Sequence, residues 1–253
     1  MRHTLLDTPG GKIAYCHREG ITPGVLFLPG FNSNMQGTKA LALDKWCADQ
    51  GVQFTRFDYA GHGFSSGRFE DGTIGQWLSN AESIIEQVCV GPHVLVGSSM
   101  GGWIMLLLAL RQQQRLTGLL GIASAPDFTE TLAHERLDTG QLESLDRRGF
   151  CELANEYDGG EPYRIGRALL EEGRQHRLLH TEIAIDLPVR LIHGQRDEDV
   201  PWELSLRIAE RLRSRDVEIQ LVKSGDHRLC EPEDIARMLA ALSELRRLAC
   251  PKS

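Results

Sequence analysis

Gly97-Ser98-Ser99-Met100-Gly101-Gly102 follows a short apolar run, His93-Val94-Leu95-Val96, and opens a longer one, Trp103 to Leu110. A strand-length run, a glycine-flanked turn and a helix-length run are the setting in which G-x-S-x-G forms a nucleophile elbow. Such a turn forces strained backbone angles on its central residue, here Ser99, and lifts the hydroxyl clear of the sheet. Gly97 and Gly101 let strand and helix approach closely. The N–H of Met100, the residue after the serine, is then expected to form half of an oxyanion hole.

Outward from this point, strands and helices alternate. Lys12 to Arg18, Gly24 to Leu28, Val52 to Phe57, Leu116 to Ala123, Val189 to His193 and Val217 to Val222 read as strands. Helical spacing runs over Thr38 to Gln50, Thr73 to Val90, Trp202 to Arg213 and Pro232 to Leu248. Apolar strands alternating with helices predict an α/β fold with a mostly parallel central sheet covered on both faces. The C-terminal strand ends then share one edge, where ligands bind. Residues 125–186 break the rhythm. They hold no convincing buried strand, only amphipathic pieces such as Leu137 to Leu145 and Arg164 to Leu179, separated by Gly159-Gly160 and Pro162. The expected organisation is a core of residues 1–124 and 187–253 with a helical lid inserted at 125–186; surface helices without a gating role are the plainer alternative.

A serine hydroxyl needs a base to take its proton and donors for the oxyanion that develops. Behind an elbow the partners follow in the chain order serine, acid, histidine. Asp197, in His193-Gly194-Gln195-Arg196-Asp197-Glu198-Asp199, lies just past a strand and is the candidate acid. Asp199 is its rival, and a solvated acidic loop is the plainer reading. His227, in Ser224-Gly225-Asp226-His227-Arg228, follows the last strand and is the candidate base among 9 histidines. His193 reads as a structural residue at a strand end, and His62 as a loop residue near the site. Phe31, after Leu28-Pro29-Gly30, is the candidate second oxyanion donor through its N–H, and its ring is placed to line an acyl pocket. The turn-rich stretch Asp58 to Gly67 lacks a P-loop lysine, and no GxGxxG follows the first strand, so no nucleotide cofactor is expected. No HExxH or paired Cys/His spacing is present, so no metal is expected either.

Composition narrows the field further. The 253 residues carry a net charge of −7, with 41% hydrophobic and 25% charged residues. That is ordinary for a globular chain and argues against a nucleic-acid partner. No run approaches the roughly 18 apolar residues of a membrane span. Met1 to Gly11 has no apolar core, so no signal peptide is expected. The 6 cysteines lack C-x-x-C spacing and read as reduced thiols. A cytoplasmic location is the default expectation.

With these residues in hand the chain resembles the α/β-hydrolase superfamily over nearly its whole length. Within it, Met35 to Ala42, Gly97 to Trp103, His193 to Trp202 and Ser224 to Arg228 are similar to the abhydrolase-domain family of the mitochondrial acyl-glucuronide esterase and palmitoyl-protein thioesterase. The chain reads as an untargeted, bacterial-type relative. The resemblance implies a Ser99–Asp197–His227 triad, oxyanion donors at Phe31 and Met100, no cofactor, and cleavage of acyl esters or thioesters. Long-chain S-acyl cysteine, on a small molecule or a protein, is the implied substrate. A non-catalytic ligand-binding protein on the same fold, or a lipase or C–C hydrolase with the same triad, are the alternatives.

Overall fold

A computed structural model describes residues 2–154 and 162–249. Eight strands form one sheet: β1 (Thr4–Thr8), β2 (Gly11–Arg18), β3 (Ile21–Leu28), β4 (Val52–Phe57), β5 (His93–Ser98), β6 (Leu116–Ile122), β9 (Val189–Gly194) and β10 (Val217–Val222). Two more, β7 (Phe150–Leu153) and β8 (Tyr163–Gly166), pair separately as an antiparallel hairpin. The sheet order is β1-β2-β4-β3-β5-β6-β9-β10. Only the β1–β2 and β2–β4 pairs are antiparallel. From β4 to β10 every pairing is parallel, so the C-terminal ends share one edge.

The helices are α1 (Thr38–Asp49), α2 (Ile74–Gln87), α3 (Met100–Gln112), α4 (Phe128–Thr131), α5 (Thr139–Arg148), α6 (Arg167–Gly173), α7 (Glu203–Arg211) and α8 (Pro232–Leu248). Alternation along each strand sends side chains to two separate cores. In β3 and β5, Leu26, Leu28 and Leu95 join Trp77, Leu78, Trp103 and Leu106 of α2 and α3. Val25, Phe27, Val94 and Val96 join Leu43 and Cys47 of α1 and Leu242 and Leu245 of α8 on the other face. Both faces of these strands are therefore apolar, which is why they read as continuous hydrophobic runs. Helix α3 is buried from Met100 through Ala109, and its all-round apolar surface follows from that position. Helix α2 starts where Thr73 accepts a hydrogen bond from the Gln76 N–H at 3.2 Å.

Two features differ from the sequence expectation. Strand β1 was not expected; its residues are mostly exposed and carry no apolar run. The 125–186 segment is not purely helical, because β7 and β8 lie within it. Each has four residues, too few to display a period, and their pairing is reinforced across strands by Arg164 Nε donating to Glu152 Oε1 at 3.1 Å. The expected helix from Arg164 to Leu179 is accordingly shorter: β8 occupies its start, α6 its middle and a 3-10 turn Arg174–His176 its end. The Gly159-Gly160 break and Cys250 lie outside the described residues. The five described cysteines are free thiols, and burial pushes Cys47 up to about 12.

His62 belongs to this core. Its ring centroid lies 4.9 Å from that of Phe69 and 5.3 Å from that of Trp77. Nδ1 donates to the Ala60 carbonyl at 3.2 Å, and Nε2 has no partner among the described residues. Burial pushes its pKa from 6.5 to about 4, against the opposing pull of the Ala60 carbonyl. The unfolded chain therefore binds the proton first as pH falls, and stability drops between pH 6.5 and 4. From pH 7 to 4.5, wild type should lose about 2–3 kcal/mol more unfolding free energy than His62→Phe. Urea unfolding at the two pH values measures the difference, and equal losses would contradict it.

Candidate active site

Four strand ends meet at the site: β3 leads to Phe31, β5 to Ser99, β9 to Asp197 and β10 to His227. Ser99 has φ 54° and ψ −121°, a strained conformation for a residue with a side chain. It is over-determined by its surroundings: the Ser99 N–H donates to Ile122 at 2.9 Å, and its carbonyl accepts from Gly102 at 2.8 Å and Ala125 at 3.0 Å. A Cβ on Gly97 would run into the Gly101 carbonyl, and one on Gly101 into the carbonyls of Leu28 and Pro29. These two positions need glycine because backbone packs directly on backbone.

The Ser99 hydroxyl lies 3.0 Å from His227 Nε2, and His227 Nδ1 lies 2.8 Å from Asp197 Oδ2. Asp197 has a fully buried side chain. Its Oδ1 accepts from the N–H groups of Asp199 at 2.9 Å and Val200 at 2.8 Å, and its Oδ2 accepts from His193 Nε2 at 3.0 Å as well as from His227. Burial alone would raise its pKa. The hydrogen bonds from His193, His227 and Val200 outweigh burial and hold the carboxyl well below the usual range. Asp199, the rival acid, turns its carboxylate toward Arg136 at 3.5 Å and contributes only its N–H to Asp197. One oxygen or nitrogen from each of Asp197, Asp199 and His227 lies within 4.8 Å of the others. The atoms of Asp197 and His227 in that group are already engaged in the hydrogen bonds just given.

The loop carrying Phe31 presses on the serine: a Cβ on Gly30 would sit 3.3 Å from the Ser99 Cβ. The N–H groups of Phe31 and Met100 have no acceptor among the described residues. The loop is fixed from below. Asp58 accepts from the N–H groups of Met35 at 2.6 Å and Phe64 at 2.9 Å, while Arg56 donates to the Met35 carbonyl at 2.6 Å and to Asp44 at 3.1 Å. On the other side, Lys39 donates to the Arg228 carbonyl and lies 3.7 Å from the Cys230 sulfur, bracing the loop that holds His227. Burial pushes the Lys39 ammonium below the usual lysine range.

Above these groups lies a cavity of about 970 Å³. One wall is aromatic and aliphatic: Phe31, Phe128, Leu132, Leu153, Tyr163 and Leu179. Phe31 anchors it, with ring centroids 5.3 Å from Phe128 and 5.8 Å from Tyr163. Residues 125–186 supply most of this wall and are tied to the core at several points. The two ends of the segment are also joined to each other: Asp127, at φ 61°, accepts from the N–H groups of Leu178 at 2.8 Å and Leu179 at 3.0 Å. Glu172 accepts from the Gly75 N–H at 2.9 Å, Trp103 Nε1 donates to the His176 carbonyl at 3.1 Å, and Arg136 donates to the Glu198 and Asp199 carbonyls at 2.7 Å. Sequence reasoning missed these ties, and it treated His193 as merely structural. The signal for His193 was its spacing, four residues before Asp197.

The fold and the assembled site define a serine hydrolase of the α/β-hydrolase class, acting on acyl esters or thioesters. A family model described as serine aminopeptidase S33 matches residues 22–139. The mouse mitochondrial palmitoyl-protein thioesterase ABHD10 is 40% identical over 92% of this chain and 78% of its own length. The solved structure of mouse alpha/beta hydrolase domain-containing protein 10 superimposes with a TM-score of 0.90 at 38% identity, covering 99% of this chain and 100% of that one. A crystal structure of an Agrobacterium vitis S4 protein gives the same TM-score of 0.90 at 38% identity, covering 97% and 98%. The chain belongs to the α/β-hydrolase family that includes ABHD10. These relatives overturn the expected cytoplasmic location, because the curated ones are mitochondrial proteins.

Gly101→Ala tests the backbone contact beneath the elbow. It should cost about 1–3 kcal/mol of stability through overpacking and lower turnover at saturating substrate by displacing Ser99. Urea denaturation and kcat, measured together, check both effects; a variant as stable and as fast as wild type would contradict the contact.

Proposed function

We propose that this enzyme is a thioesterase that removes long acyl groups from cysteine sulfur, on small thiols or proteins, through Ser99, His227 and Asp197. The observation that carries the triad is the continuous line of Ser99 Oγ, His227 Nε2, His227 Nδ1 and Asp197 Oδ2, with steps of 3.0 Å and 2.8 Å. His227 takes the Ser99 proton as Oγ attacks the acyl carbonyl carbon. The N–H groups of Phe31 and Met100 stabilise the oxyanion of the tetrahedral intermediate. Collapse breaks the carbon–sulfur bond, and His227 protonates the departing thiolate. Water then attacks the acyl-enzyme with His227 as base, and the fatty acid leaves as Ser99 regains its proton. Asp197 stays ionised throughout, since its hydrogen bonds hold its pKa low, and it stabilises the imidazolium that forms at each step.

The substrate part of this reading rests on the mouse relative's activity as a palmitoyl-protein thioesterase, supported by the apolar wall from Phe31 to Tyr163. In it, residues 125–186 form a cap over a core of residues 1–124 and 187–253 and select the acyl group.

Ser99→Ala should abolish turnover and fluorophosphonate labelling while leaving the circular dichroism spectrum unchanged; residual wild-type activity would sink the triad. Asp197→Asn should lower kcat by about 10⁴ by leaving His227 in the wrong tautomer, as steady-state kinetics on the same substrate would register. Across S-acyl cysteine peptides and p-nitrophenyl esters of graded length, kcat/KM should rise with chain length and favour the thioester. A preference for acetyl esters would remove the thioesterase assignment and leave the triad standing.

A further inference from the structure

His193 is fully buried beside the triad, and its ring has a partner on each nitrogen. Nε2 lies 3.0 Å from Asp197 Oδ2 and 3.1 Å from the Val200 carbonyl. Both neighbours only accept, so Nε2 carries a proton. Nδ1 lies 2.7 Å from the hydroxyl of Ser205, a buried residue of α7, and that hydroxyl is free to donate to it. The Nε2–H tautomer satisfies the whole set. Asp197 Oδ2 is therefore shared by two imidazole N–H groups, from His193 at 3.0 Å and His227 at 2.8 Å, while Oδ1 is filled by two backbone donors.

We propose that His193, held by Ser205, is a positioning residue that sets the basicity of His227 by drawing on the same carboxylate oxygen. The inference rests on the triad reading given above. The second N–H does two things. It fixes the carboxylate plane so that a lone pair of Oδ2 faces His227 Nδ1. It also takes up part of the carboxylate charge, so the imidazolium of His227 gains less from it than it would from a carboxylate free of His193. Without that donor, Asp197 grips the imidazolium harder and His227 stays protonated to higher pH. Among the described residues, the other charged groups around His227 include Asp199, within 4.8 Å and paired with Arg136, its chain neighbours Asp226 and Arg228, and Lys39 of α1, which bonds the Arg228 carbonyl. None of them is altered in the test.

The pH dependence of kcat/KM on a p-nitrophenyl ester, measured on the full chain, decides the matter. His193→Phe should move the acidic limb up by about half a unit to one unit and lower kcat about 10-fold at unchanged KM. Ser205→Ala, which removes a single hydroxyl oxygen, should shift the limb the same way by less. His193→Gln, whose amide is able to donate to Oδ2, should return the limb toward wild type. If His193→Phe does not fold, the shift in Ser205→Ala carries the test. An acidic limb that superimposes on wild type in His193→Phe, or in Ser205→Ala where His193→Phe does not fold, overturns the proposal. Ser99→Ala keeps the two failures apart. If it remains active, the triad reading falls; if it is inactive while the limbs superimpose, only the role of His193 falls.

Discussion

The site depends on one steric constraint, the contact of backbone on backbone where β3, β5 and α3 meet. Strand β5 and helix α3 are joined with no room for a side chain at Gly97 or Gly101, and the first turn of α3 lies on the carbonyls of Leu28 and Pro29. This contact holds Ser99 in a conformation it would otherwise leave, since strain of this kind is of the order of 1–3 kcal/mol. The same contact brings the end of β3, and with it Phe31, against the serine. The candidate nucleophile and oxyanion donors are thus placed by a single packing event rather than by separate loops.

A second constraint is electrostatic. Asp197 is a charge without solvent contact, which is tolerable only when every lone pair is engaged. Its own loop supplies two N–H groups, β9 supplies His193 and the loop after β10 supplies His227. The parallel pairing of β9 and β10 keeps these sources in register. The steric and electrostatic constraints meet at His227, which faces Ser99 with one nitrogen and Asp197 with the other.

The core and the candidate triad were legible because their signals are local. Ser99, Asp197 and His227 each follow an apolar run at a parallel strand's C-terminal end, and the chain order completes the pattern. Phe31 was legible for the same reason. Strand β1 was not, because an edge strand with exposed side chains carries no burial pattern. The hairpin β7–β8 escaped because four-residue strands show no period. Asp127 escaped because a non-glycine residue at positive φ has no sequence signature, and its carboxylate bonds lie about fifty residues away in the chain. His193 was legible as a buried residue at a strand end, but its partners were not: the Val200 carbonyl and the Ser205 hydroxyl are brought to it only by the turn into α7.

The carboxylate of Asp127 closes the whole excursion from α4 to Leu179 into a loop whose two ends are held by one side chain. Chain-closure entropy rises only with the logarithm of loop length, so the exposed turns between those ends can change length at small cost, whereas the residues bonded to Gly75, Trp103 and Asp199 or buried with the core, such as Leu169, are fixed by those contacts. The chemistry at the strand ends and the shape of the cavity wall are in this sense separately heritable parts. Changes in those turns would reshape the cavity wall while leaving the strand ends that carry the candidate site in place.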